Sequence, residues 1–166
     1  MIREAALSGD LLYRYALSRA WDGGDAGRLV FIGTNPSTAD GAQDDHTIRK
    51  LCGFAHRWGF QGFTVVNAFA YRATEVRALA EVADPVGPGN AGTVRHVLRG
   101  AALVVPCWGA ATKLPTWPLR HALTAFAATV RRSSARARCL GYTAGGDPRH
   151  PLMLPYHAAL VAWPRS

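Results

Sequence analysis

The chain has 166 residues, enough for one domain with a buried core, and its three cysteines (Cys52, Cys107, Cys139) are far apart with no C-x-x-C pair, which supports neither a disulfide framework nor a zinc or iron–sulfur site. A formal charge of +8 and a pI near 10.1 favour a polyanionic partner. All the basic residues except Lys50 and Lys113 are arginine, however, in a chain also rich in Ala and Gly, a composition that a G+C-rich genome produces without selection for binding. No apolar run approaches the roughly 18 residues of a membrane span and no charged-then-apolar leader opens the chain, so a cytoplasmic protein without membrane partners is expected.

In chain order, Tyr13 to Trp21 alternates, and with Asp22-Gly23-Gly24-Asp25 as a turn it is expected to form an antiparallel hairpin with the strand at 28 to 33. That second strand is an apolar run, Leu29-Val30-Phe31-Ile32, stopped by Gly33-Thr34-Asn35-Pro36-Ser37. A polar loop from Thr38 to Asp45 leads to a helix capped by Asp44 or Asp45, with Ile48, Leu51, Cys52, Ala55 and Trp58 at helical spacing and Gly59 closing it. Phe63 to Val66 is a strand ending in Asn67. Thr74 is expected to cap a short helix through Val82, and Asn90 to Leu98 reads as another. Ala101 to Cys107 is a buried strand ending at Trp108-Gly109. Residues 115 to 130 form an amphipathic helix with Pro115 and Pro118 in its first turn. Arg138 to Gly141 suggests a further strand, and the proline-punctuated tail from Ala144 to Pro164 is irregular. No repeat or linker divides residues 1–166. A single α/β/α domain is expected, with a central, mostly parallel sheet of four or five strands, whose strand ends Asn35, Asn67, Trp108-Gly109 and Gly141 share one rim, where open α/β folds place ligands.

The order of these features resembles the uracil-DNA glycosylase superfamily, whose members carry a Gly-x-(Asp, Asn or Glu)-Pro turn after the first strand, a later strand ending in a base-reading Asn and a C-terminal His-Pro loop. Here these are Gly33-Thr34-Asn35-Pro36, then Val65-Val66-Asn67 running into Ala68-Phe69-Ala70-Tyr71-Arg72, then Arg149-His150-Pro151-Leu152. The chain also resembles a bacterial family of uncharacterised small proteins that carries Asn-Pro-Ser-Thr-Ala-Asp followed by Asp-Asp-x-Thr-Ile-Arg. That likeness covers nearly the whole chain and brings no activity with it.

The first resemblance implies a glycosylase-like fold and hydrolysis of the N-glycosidic bond of a flipped, modified base in DNA, by a monomer needing no cofactor. Such a reaction needs little nucleophilic push, so the protein mainly stabilises the departing base and holds a water. Asn35 and His150 are the candidate catalytic residues: the Asn35 amide orients water without taking its proton, and His150 stabilises the base anion. An Asn35→Asp exchange is therefore expected to retain or raise activity. Asn67 offers one donor group and one acceptor to a base edge. Phe69, Tyr71 and Trp108 are candidates to stack on the base, Gly33, Pro36, Ser37 and Pro151 shape the motif backbone, and Leu152 and Leu154 are candidate DNA wedges. Arg72, Arg132, Arg136 and Arg149 are candidate phosphate contacts. Ser37, where many uracil-removing members have an aromatic, opens the pocket to a bulkier base.

Asn35-Pro36, Asn67 and His150 each have a plain structural alternative as turn, loop anchor and solvent-facing residue. Two further functional readings stay open: a non-catalytic binder of modified bases or nucleotides, and a metal-dependent nucleotide hydrolase using Asp40, Asp44 and Asp45 with His46. The same aspartates also suit helix capping or pairing with arginine, such as Asp45 with Arg49.

Overall fold

Alternation along the central strands decides the layering. A computed structural model describes residues 1–133 and 136–165. Its main sheet has five strands, β1 (Ile2–Leu7), β2 (Arg14–Ala20), β3 (Leu29–Gly33), β4 (Gly62–Asn67) and β5 (Leu103–Pro106), in the order β1-β2-β4-β3-β5. Along β3, Leu29 and Phe31 join a core cluster with Ile48, Leu51 and Phe54 of helix α1 (His46–Arg57). Val30 and Ile32 face the other way, into a cluster with Val94 and Leu98 of α2 (Asn90–Arg99) and Leu119, Leu123 and Val130 of α3 (Trp117–Ser133). A strand buried on both faces reads as a continuous apolar run, which is what residues 29–32 are. Each face buries its own set of large side chains, and burial at about 25 cal/mol per Å² of apolar surface is the main force holding the layers together.

The sheet is mixed. β4, β3 and β5 run parallel, while β1 with β2 and β2 with β4 are antiparallel. The expectation of a mostly parallel sheet is corrected accordingly, and so is the expected hairpin. β2 pairs with β1, a strand not anticipated from the sequence, and with β4, not with β3. The Asp22–Asp25 turn carries the chain across the start of β4: Trp21 donates its backbone N–H to Gln61 O at 2.9 Å, and Gly24 lies so close to Gln61 that a Cβ there would meet it at 2.1 Å. β3 can then enter on the far side of β4.

Other expectations hold or shift in detail. Asp45 caps α1 by accepting the Ile48 amide, and Gly59 follows the helix end with φ +76. Thr74 caps nothing: the segment after it is a 3-10 turn, Val76–Ala80, preceded by Glu75 with no side-chain cap. The expected strand at 138–141 shrinks to β6 (Arg138–Cys139), paired with β7 (Val161–Ala162) in a separate two-stranded sheet. Among the described residues, no helix is long and apolar enough to cross a membrane.

Candidate functional site

The parallel strands β3, β4 and β5 end together, with Gly33 in register with Asn67 and Ile32 with Pro106. Hydrogen bonds stitch the emerging loops to one another. Ala68 N–H donates to Gly33 O at 3.1 Å, Phe69 N–H to Thr34 O at 2.8 Å, and the Thr34 hydroxyl to Trp108 O at 2.8 Å. The tail is tied in by Gly109 N–H donating to Pro148 O at 2.9 Å, which brings His150 beside Gly109: a Cβ on Gly109 would stand 3.2 Å from that of His150. Between these loops and the start of α1 lies a cavity of about 250 Å³. Asn35, Asn67 and His150 all line it, together with Gly33 and Ser37, so three distant stretches of sequence do converge.

Asn67 is 3% exposed, and its Oδ1 packs over Gly33, where a Cβ would meet it at 2.6 Å. The glycine is required here for close approach. Asn90 Nδ2 donates to the Asn67 and Ala68 carbonyls at 3.0 and 3.2 Å, which fixes the backbone at this strand end. Asn67 Nδ2 has no hydrogen-bond partner among the described residues. A buried donor left unpaired costs roughly 1–3 kcal/mol, so such a group, at a cavity wall, calls for an acceptor supplied from outside the fold.

The Asn35 amide is engaged otherwise. Its Nδ2 donates to Ala73 O at 2.8 Å and to Pro36 O at 3.1 Å, pinning the motif turn to the loop after β4 and leaving Oδ1 as the group free to accept. A carboxylate in this place would face two carbonyl oxygens, so the expectation that Asn35→Asp preserves activity is withdrawn.

His150 Nδ1 accepts the Leu152 backbone N–H at 3.3 Å, which leaves Nε2 to carry the proton of a neutral ring. Burial and the nearby Lys113 ammonium push the imidazole down to about 4, against the opposing pull of Asp45. The residue also keeps an exposed face, and water there offsets part of the burial effect; the direction, a ring neutral at pH 7, is what the chemistry uses.

Three further charged residues line the cavity: Lys113 and Arg14, which were not read as site residues from the sequence, and Asp45, which was read there only as a helix cap, an Arg49 partner or a metal ligand. Lys113 follows β5 in a 3-10 turn (Ala111–Lys113), and its ammonium donates to Trp108 O. Burial lowers its pKa from the usual lysine value. Asp45, the α1 cap, presents its carboxylate to the same space, with Oδ1 taken by the Ile48 amide. Arg14 comes from the start of β2 and is 3% exposed. It reaches the cavity through a β-bulge: Leu7 pairs with Arg14 and Ala6 with Ala16, so Tyr15 is the extra residue. The bulge puts Arg14 on the same face as Leu17 and Arg19, which strict alternation forbids.

The stacking candidates do not reach the cavity. Phe69 is fully buried in the core under α2 and α3. Tyr71 packs edge-on against Tyr13, and Trp108 packs edge-on against Trp163 with ring centroids 5.6 Å apart. Trp108 follows from alternation beside cavity-lining Cys107, whereas Phe69 and Tyr71 leave the pattern of β4 at the bend after Asn67, which turns them to the opposite face. The apolar wall is aliphatic instead: Ile48, Leu51 and Val65. Pro36 and Pro151 are buried loop residues. Of the wedge candidates, Leu154 is 4% exposed and belongs to the α1-side core, whereas Leu152 and the neighbouring Met153 are exposed.

Among the arginines, Arg149 is exposed next to His150, and half-buried Arg72 donates to Leu11 O. Arg132 lies on the last turn of α3, about 22 Å of helix beyond its start near Lys113, and Arg136 holds β5 through Val104; neither lines the cavity. The acidic loop is dispersed. Asp40 Oδ1 accepts the Ala42 and Gln43 amides, Asp44 pairs with Arg19 at 2.7 Å, and Arg49 bonds the Asp44 carbonyl, not Asp45. Among the described residues, no group of three or more His, Cys, Asp or Glu is placed to hold a metal ion. Cys107, also at the cavity, is kept a thiol by burial, which pushes it up to about 12.

The model of one protein family matches residues 14–152, running from Arg14, the first residue at the cavity, to Leu152, whose amide orients His150. The chain belongs to the DUF1643 family. The family's description is "Protein of unknown function", so membership brings no activity with it. No curated protein and no solved structure matches the chain significantly.

Proposed function

We propose that this DUF1643 protein is a hydrolase of N-glycosidic bonds that excises a base from a nucleic acid. The reading rests on one observation above the rest: the unpartnered buried amide of Asn67, at the wall of a cavity it shares with His150 and Asn35. A cavity of 250 Å³ is at or below the small end of ligand pockets, which suits one nucleotide unit at most and is too small for a dinucleotide cofactor. The base lies against Ile48, Leu51 and Val65 and accepts a hydrogen bond from Asn67 Nδ2.

In the reaction, the bond between C1′ and the base nitrogen breaks and its electron pair leaves with the base. His150, neutral and carrying its proton on Nε2, donates to the developing anion without needing to transfer that proton, a preorganised donor of the kind that contributes most to catalysis. Water adds to C1′. Asn35 Oδ1 orients it, and the Asp45 oxygen not engaged by α1 accepts its proton. The role expected of Asn35 is thus divided between two residues.

The test is a metal-free screen of purified protein against oligonucleotides carrying a range of modified bases, scored for alkali-labile abasic sites and for free base by mass spectrometry. Base release that falls about 10²–10³-fold in His150→Ala supports the reading. Retarded but intact oligonucleotide would instead establish a binder.

A further inference from the structure

The cavity wall holds more positive charge than base recognition requires. Arg14 is buried, yet among the described residues its Nε has no partner and its Nη1 donates only to the Ala39 carbonyl, at 2.5 Å. Lys113 is directed at a carbonyl as well. Among the described residues, the only carboxylate paired with any cation within 4.0 Å is Asp44, with Arg3 and Arg19, so neither Arg14 nor Lys113 is neutralised. The N-terminus of α1 opens on the same cavity through Thr47; Asp45 caps the Ile48 amide, while those of His46 and Thr47 donate to no described atom. Against two cations and a helix N-terminus stands one carboxylate, Asp45, already engaged by the helix. With His150 neutral, the lining carries a net positive charge.

We infer that the cavity contains an oxyanion subsite, in which Arg14 Nε, the Lys113 ammonium and the first-turn amides of α1 receive a phosphate monoester of the ligand. Guanidinium and helix N-terminus are the two groups best matched to phosphate oxygens. The burial of Arg14 favours a terminal phosphate over the diester of a continuous strand, because a diester needs an exit for the chain on both sides. The terminal phosphate belongs either to a free mononucleotide or to a strand's 5′ end. This inference stands on Arg14 and Lys113 and does not depend on glycosidic cleavage.

The probe is inorganic phosphate, followed by the four common deoxynucleosides, their 5′-monophosphates, and one oligonucleotide with and without a 5′-phosphate. Thermal shift and calorimetry are run against chloride at equal ionic strength. Phosphate should raise the melting temperature, and a monophosphate should bind about 10- to 100-fold more tightly than its nucleoside, the range of a charge-assisted hydrogen bond. Arg14→Met and Lys113→Met should each remove most of that difference, and Arg14→Lys should recover part of it. If Arg14→Met fails to fold, Lys113→Met and Arg14→Lys carry the test. Competition by the 5′-phosphorylated oligonucleotide assigns the subsite to strand ends, and competition by mononucleotides alone assigns it to free nucleotides. Equal affinity for nucleoside and monophosphate with no phosphate shift, or a shift that survives in every variant, would overturn the inference. Base release is scored in parallel: phosphate binding without release removes the glycosidase reading and leaves the subsite.

Discussion

Strand β2 carries two buried arginines, five residues apart on one face, and they differ in what surrounds them. Arg19 is completely enclosed and completely used: Nε and Nη2 meet Asp44 at 2.7 Å, Nη2 also donates to Asp40 O at 2.6 Å, and Nη1 to Ser18 O at 2.8 Å. It holds the loop that leads into α1. Arg14 is almost as deeply buried but keeps an unpaired Nε and no carboxylate partner. A buried charge persists only where it is paired or where something else compensates it. Arg19 is compensated by the fold, and its role is structural. Among the described residues Arg14 has no ion-pair partner, and burial, only partly opposed by the more distant Asp45 and Asp40, pushes its guanidinium down to about 10, still a cation at pH 7.

The largest expected effect breaks this pair apart. Arg19→Ala should lower unfolding free energy by about 3 kcal/mol, because it empties a fully enclosed site, leaves the Ser18 and Asp40 carbonyls without their donor, and leaves half-buried Asp44 with Arg3 alone. Arg14→Met should leave stability within about 1 kcal/mol of the parent or raise it, since it removes an unsatisfied group. Urea denaturation of both variants checks this, and equal losses would mean that Arg14 is structural too.

The two asparagines of the site sharpen the same distinction between satisfied and unsatisfied groups. Asn35→Asp loses two donated bonds and sets a carboxylate against the Pro36 and Ala73 carbonyls, so a loss of about 1–3 kcal/mol is expected. Asn67→Ala, which deletes an orphaned donor, should change stability by less than that and should instead weaken ligand binding by about 1–3 kcal/mol. Denaturation curves beside ligand titrations separate the two.

The smallest effect is a pH dependence. With His150 depressed toward 4, the unfolded chain takes up a proton from about pH 6.5 downward while the folded one does not. Stability should therefore decline as pH falls from about 6.5 toward 4, and His150→Gln should flatten that slope. Melting temperatures across this range, for parent and variant, provide the measurement; identical slopes would place the imidazole in water.

Asn35, Asn67 and His150 were legible because each ends an apolar run or stands in a proline-marked loop, and strands that run parallel must end on the same rim. The central run 29–32 and the Asp45 cap could be read for the same local reason: burial on both faces and an orphaned helix amide each leave a mark on adjacent residues. Arg14 and Lys113 left no such mark. An arginine on an alternating strand reads as a solvent-facing residue, and the Tyr15 bulge that turns Arg14 inward is a mismatch between two strands, not a property of either.

What the amino-acid order determined by itself is the set of elements whose signals are local, three helices and the central β-rich runs, together with the strand-end asparagines. Which strand neighbours which was settled only in three dimensions. Crossing the start of β4 depends on Gly24 lying against Gln61, and neither residue signals the other. The aromatic residues show the same limit. Phe69, Tyr71 and Trp108 follow strand ends in sequence, where a stacking ring belongs, but whether a side chain faces core or cavity depends on the pleat and on its partners across the fold. Cavity charge is likewise a tertiary quantity: it is the sum over residues 14, 45, 113 and 150, and no window of the chain contains them together.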